Sequence, residues 1–232
     1  MNLFWLDSDV TRCAQAHQDT HVGKMLLEAV QLLCTAFVEP RRGWACPDAS
    51  ASVSKTPYRW QDLSTDQRLA ADLLPYSHTH INHPCALWVR ASRANFNRAI
   101  ELAEALAAEF RYRFDKPHGS EASLDWVKCH RSEAQVPDGP LTPYVLAMPE
   151  EYQQSRAFFC TGCKSLFNHP VNARVSCETC KRLLWPCDNT TDAYRAYYRA
   201  EKRGHWRKSR DPSKPSTWVP AKWTRRDPPE WF

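Results

Sequence analysis

Residues 19–34 read Asp19-Thr20-His21-Val22-Gly23-Lys24-Met25-Leu26-Leu27-Glu28-Ala29-Val30-Gln31-Leu32-Leu33-Cys34. Val22, Met25, Leu26, Ala29 and Leu33 recur at i, i+3, i+4, i+7 and i+11, which lines one side of an α-helix with apolar groups. A stripe of that kind has to be buried against other elements, so the segment predicts a core helix. The pattern places one or two helices within residues 9–37, with Asp7 or Asp9 able to cap the start.

The same stretch carries polar groups with chemistry. His21, Lys24 and Glu28 fall at i, i+3 and i+7, on a face that borders the apolar stripe. A carboxylate at the rim of a core can act as a general base or stabilise a developing cation. A neighbouring Lys and His supply a nucleophile, a proton or a phosphate contact. The trio equally fits a solvated ion pair on a helix surface.

Working outward, residues 39–63 are rich in Pro, Ser and Trp and predict an irregular loop. Ser64-Thr65-Asp66-Gln67 opens a short helix that Pro75 ends, and a loop with His78, His80 and His83 follows. One long helix is expected from Pro84 to Phe114, with Phe96, Ile100, Ala103, Ala107 and Phe110 facing inward, then a short helix around Ser120–Cys129. Pro137, Pro140, Pro143 and Pro149 mark an extended stretch. A helix is expected from Asp192 to about Arg203, and the last 25 residues, with five prolines, should wrap over the surface. Outside residues 157–189 there is no strand alternation, so the fold expected is mainly α. The division expected is a helical core over 1–156, an inserted module at 157–189, and a completing helix and tail at 190–232.

Ten cysteines are many for a chain of 232 residues. Cys160-Thr161-Gly162-Cys163 and Cys177-Glu178-Thr179-Cys180 are separated by thirteen residues. Each C-x-x-C aims two thiolates at one point, and two such knuckles close a tetrahedron around Zn²⁺ with no open position. The spacing therefore predicts a structural zinc ribbon, with Leu166-Phe167 and Val171–Val175 as its hairpin and Cys187 or His169 as substitute ligands. The six scattered cysteines fit small buried hydrophobes.

The net charge of +5 is unevenly spread. From Asp192 to Phe232 eleven Lys or Arg meet five acids, interleaved with Tyr194, Tyr197, Tyr198, Trp206, Trp218, Trp223, Trp231 and Phe232. Basic and aromatic side chains in one segment suit a polyanion with stackable bases, with Tyr194, Arg195, Tyr198 and Lys202 as contacts. A solvated tail whose aromatics pack back on the core is the other reading. Asn82-His83-Pro84, Trp88 and Arg90 at a helix start, with Arg113, Lys116 and His118 past a helix end, suit an everted base and its phosphates. No run approaches the roughly 18 apolar residues of a membrane span. The start of the chain has no signal-peptide pattern, so the expectation is a cytoplasmic protein without a membrane partner.

His21 and Glu28 on the first helix, followed by Asn82-His83-Pro84 running into a long helix, resemble the pyrimidine-dimer DNA glycosylases, the phage endonuclease V type. The chain is also similar to uncharacterised bacteriophage proteins. The shared residues are Asn2-Leu3-Phe4 with Asp7 and Asp9, Asp19-x-His21-Val22-x-Lys24-Met25, Asn82-His83-Pro84-x-x-x-Trp88, Tyr194-Arg195-x-Tyr197-Tyr198, and Pro229-Glu230-Trp231-Phe232. That second likeness skips the cysteine-rich module. The glycosylase resemblance implies a compact all-α fold that flips a base, with the essential carboxylate on Glu28. It also implies an α-amine nucleophile exposed by loss of the initiator Met. Asn2 departs from that pattern, because its side chain is large for such trimming; either Lys24 or water would then attack instead, or the reaction is not base excision. Three functions follow as expectations. The first is N-glycosidic cleavage in DNA repair or modification, inside the bacterial host if the protein is a phage's. The second is a transferase joining a small amine or amino acid to an activated thymine in phage DNA. The third is a non-enzymatic zinc-ribbon protein that binds nucleic acid.

Overall fold

The computed structural model describes residues 1–39, 60–149, 153, 156–159, 166–169, 185–186, 190–207, 213 and 215–232; for 156–159, 166–169, 185–186 and 206–207 only the backbone is described. Seven α-helices fall within these residues and strands are few, so the protein is mainly helical as expected. Two compact units form, and they do not follow chain order. One comprises Met1–Leu3 with Val22–Thr142, the other Phe4–His21 with Pro143–Phe232.

The first unit is built on helix α2 (Asp19–Cys34), whose residues from Val22 onward lie in it. All five residues of the apolar stripe are buried, together with Val30 and Leu32. Helix α3 (Thr65–Ala70) opens on a capping box in which Ser64 and Gln67 satisfy each other's backbone N–H groups. Helix α4 (Pro84–Ala91) starts with Pro84 in its first turn, where a missing N–H costs nothing, and with the His83 ring accepting from the Cys85 N–H. Helix α5 (Arg93–Phe114) ends on Asp115 in the left-handed region, φ 52°, with its N–H returned to the Arg111 carbonyl. Helix α6 (Glu121–Cys129) completes the set. Phe96, Ile100, Ala103 and Ala107 are buried as expected, beside Leu102, Leu106, Leu124 and Val127.

The single helix expected over Pro84–Phe114 is two. Ser92 is extended (φ −158°, ψ 160°) and separates α4 from α5. Its hydroxyl accepts from the Asn95 N–H at 3.1 Å and donates to the Pro140 carbonyl at 2.8 Å. The Arg93 N–H donates to the Pro137 carbonyl at 2.8 Å. A serine side chain that caps the next helix, plus a distant carbonyl that takes the following amide, outcompetes continuation of the helix.

In the second unit helix α1 (Val10–Ala16) is capped by Asp9, which accepts from the Arg12 N–H at 2.8 Å. Helix α7 (Thr190–Glu201) buries Tyr194 and Tyr198 completely. The Tyr194 hydroxyl donates to the Val145 carbonyl, and the Tyr198 hydroxyl accepts from the Gln18 N–H. Trp5 stacks on Tyr144 with ring centres 3.9 Å apart. The chain's last segment is pinned: Asp19 accepts from both the amide and the hydroxyl of Thr224, and the Trp223 indole donates to the Ala16 carbonyl.

Strands β1 (Arg156–Phe159), β2 (Leu166–His169) and β3 (Trp185–Pro186) form a sheet in the order β2-β1-β3, with both pairings antiparallel. Leu166–His169 thus pairs with the strand before the first C-x-x-C; the partner expected for it at 171–175 lies outside the described residues, as do Cys160, Cys163, Cys177, Cys180 and Cys187. Strands β4 (Gly204–Arg207) and β5 (Thr217–Pro220) form an antiparallel ribbon that corrects the expectation of no strands beyond the cysteine-rich module. Among the described residues no helix is long and apolar enough to cross a membrane.

Candidate functional site

Helix α2 carries His21, Lys24 and Glu28, and the structure draws them into two different settings. Glu28 belongs to the first unit and its side chain is only 12% exposed. Its Oε2 accepts from the Asn2 backbone N–H at 2.7 Å. Its Oε1 stands 3.7 Å from the Lys24 ammonium, whose side chain is 61% exposed. The carboxylate is therefore held on one side by a fixed amide and on the other by a cation open to solvent.

Two further groups adjoin it. The Asn2 side-chain oxygen accepts from the Cys85 thiol at 3.4 Å. Burial pushes that thiol up to about 12, so it stays protonated and contributes packing rather than a nucleophile. His83 Nδ1 accepts from the Cys85 N–H at 3.2 Å, which leaves the ring proton on Nε2 in the neutral form. Burial, then the Met1 amino group and His80, lower the His83 pKa, while Glu28 acts in the opposite direction. Glu28, Lys24, Asn2 and His83 form one local cluster. The Asn2 contact was invisible to helix spacing, because it joins residues 26 apart in the chain.

His21 has another environment. Its Nδ1 is 2.9 Å from the Tyr198 hydroxyl, and its ring stacks on Phe4 at 5.5 Å. It is tied into the aromatic core of the second unit rather than joined to Glu28.

Several residues expected at a substrate pocket serve the scaffold. Trp88 is buried and its indole donates to the Thr142 carbonyl at 3.3 Å. Arg90 donates to the Ile81 carbonyl at 2.6 Å and holds the loop that carries His83. Arg113 is buried in an ion pair with Glu109 at 2.8 Å, so it is not part of an exposed basic cluster. Asn82 and Lys116 are exposed. His118 is half-buried: its ring meets the Phe110 edge at 4.8 Å, and Nδ1 accepts from the Ser120 N–H. A Cβ on Gly23 would stand 3.3 Å from His118 Nε2 and 3.1 Å from Phe110, so the glycine lets α2 pass close to this ring pair.

The expected contacts on α7 are likewise internal. Tyr194 and Tyr198 are fully buried. Arg195 donates to the Leu6 carbonyl at 2.8 Å and to Asp7 at 3.0 Å, and lies over the Trp231 ring. The Lys202 ammonium sits 4.9 Å from the Tyr197 ring. A cleft of about 280 Å³ opens here, lined by Asp7, Arg12, Arg195, Asp227, Glu230 and Trp231 among others. Burial alone would raise the Asp7 carboxyl, but the Asp9 amide and the guanidiniums of Arg12 and Arg195 outweigh it and hold it below its usual range. The cleft's charges are balanced, which does not suit a run of phosphates.

Among the described residues no group of three His, Cys, Asp or Glu side chains is placed to hold a metal ion. Compared with protein-family models, with curated proteins and with solved structures, the chain matches none.

Proposed function

We propose that the protein processes a nucleobase everted from DNA, cleaving its N-glycosidic bond, with Glu28 as the carboxylate beside the reacting sugar. The observation that carries this reading is the setting of Glu28: little exposed, anchored at 2.7 Å by the Asn2 amide, and next to a solvent-accessible ammonium. When the C1′–N bond breaks, its electron pair leaves with the base and the sugar gains positive charge. A fixed carboxylate stabilises that charge, and it can also take the proton of an attacking water. Lys24 offers an amine at the same spot; attack by its neutral form at C1′ displaces the base, and opening of the C1′–O4′ bond, with the remaining N–H proton passing to the ring oxygen, gives a covalent imine. The retained Tyr198 link of His21 makes that residue a support for the start of α2.

The test is Glu28→Gln, assayed on ultraviolet-damaged, uracil-containing and hypermodified DNA with products weighed by mass spectrometry. Turnover is expected to fall by at least about 10²-fold, with DNA affinity nearly unchanged. Borohydride trapping separates an amine nucleophile from water, and a mass gain on the base in place of its loss would mean group transfer. Normal turnover by the variant discards the assignment. We further infer that Cys160, Cys163, Cys177 and Cys180 hold a structural zinc. The antiparallel pairing of Arg156–Phe159 with Leu166–His169, on either side of the first C-x-x-C in the chain, supports this.

A further inference from the structure

The sequence of the basic C-terminal segment offers aromatics for stacking on bases, and the fold buries or half-buries most of those described. Tyr194, Tyr198 and Trp223 are buried, and Tyr197, Trp231 and Phe232 are half-buried. Trp218 is the aromatic of this segment whose described side chain is exposed, at 45%.

Its placement is built. Trp218 lies on β5, in register with Trp206 and two pairs along from Gly204↔Pro220. Alternation puts residues 204, 206, 218 and 220 on one face of the ribbon. A Cβ on Gly204 would stand 2.7 Å from Trp218 Cζ2 and 2.4 Å from the Val219 carbonyl oxygen. No side chain fits there. Glycine at 204 therefore lets the indole lie across the ribbon, with much of its surface still in solvent. The root of the ribbon is held from both ends: the Ala221 N–H donates to the Arg203 carbonyl at 2.7 Å, the Lys202 N–H to the Tyr198 carbonyl at 2.9 Å, and the Asp19 N–H to the Lys222 carbonyl at 2.8 Å. Arg199, Arg203 and Lys222 around that root are exposed.

A rooted ribbon that displays an indole, with exposed cations at its root, matches a partner that is both flat and polyanionic. We infer that Trp218 is a stacking platform for an unpaired base of single-stranded DNA, with Arg199, Arg203 and Lys222 supplying its phosphate contacts. A base has a π-face of any sequence, so the contact is indifferent to sequence and blind to fully paired DNA. This rests on the proposed function only for the choice of DNA as partner.

The experiment uses the full chain and labelled, undamaged oligonucleotides, with affinity measured by anisotropy across a salt series. Trp218→Ala is expected to weaken single-strand binding about ten-fold or more while the slope of log affinity against log salt stays the same. Trp218→Phe should keep a part of the affinity and control for folding. Arg203→Ala should instead lower the slope by about one. Unchanged single-strand affinity in Trp218→Ala, or an equal loss on intact duplex, overturns the platform. A wild-type chain that binds no DNA removes the proposed function as well, whereas binding that is lost only with Trp218 supports the platform whatever Glu28 does.

Discussion

His83 and His118 are both half-buried, and burial is the main reason that each has a lowered pKa. For His118 the Glu121 carboxylate opposes the shift but does not cancel it. In the unfolded chain these rings take up protons near pH 6.5, and in the folded chain only at lower pH. Between those points the unfolded state binds more protons, so stability rises with pH. Their contribution is complete above about pH 7 and is lost as the pH falls through the folded values. Asp7 and Glu121 behave alike but in a lower window, because their carboxyls are held below the usual range near 4. The expected outcome is a melting temperature that drops between pH 7 and 5.5, with a smaller drop in His118→Gln. Gln can keep the acceptor for the Ser120 N–H without gaining a charge. Calorimetry at both pH values checks it; an identical drop in wild type and variant would show that His118 does not titrate across this range.

The break between α4 and α5 is where element-scale order depends most on side chains. Asn95 is fully buried and makes three bonds: its amide nitrogen donates to the Trp88 carbonyl at 2.8 Å and to the Thr142 hydroxyl at 2.7 Å, and its oxygen accepts from the Thr142 N–H at 2.8 Å. Asn95→Ala would strand buried donors and acceptors at once, at a cost of about 2–4 kcal/mol by denaturant titration. A loss under about 0.5 kcal/mol would mean that water replaces the side chain. Sequence patterning located α2 by its apolar stripe, α3 by the capping pattern at Ser64–Gln67, and the positions of α6 and α7. It missed the Ser92 break because Ala91-Ser92-Arg93-Ala94 reads as helix former, while the groups that end the helix, Pro137 and Pro140, lie some forty-five residues away. It missed β4 and β5 because Gly204-His205-Trp206-Arg207 shows no alternation until Trp218 covers the glycine. The site was half legible: Glu28 stood out by helix position, but its Asn2 partner comes through the fold.

On the scale of the whole chain, the excess of charge and the pairs of cysteines fall in the C-terminal part of the sequence, and different forces govern them. Part of that charge is absorbed locally, as when Arg195 is fixed to Leu6 and Asp7, while Arg199, Arg203 and Lys222 stay exposed. Held as proposed by the four cysteines of the C-x-x-C pairs, a zinc ion would displace the thiol protons at neutral pH, and its binding would then contribute directly to stability. One zinc per chain is the expected content by atomic emission after gel filtration. Cys163→Ser should empty the site and make residues 157–189 the first point of attack in limited proteolysis. The far-UV helical signal should change little, since α2 to α6 contain none of these ligands. Lowering the pH toward 5 in the presence of a chelator should reproduce the variant's cleavage pattern in the wild type, because protons then compete for the sulfurs. Full zinc retention by Cys163→Ser would rule out the four-thiolate site.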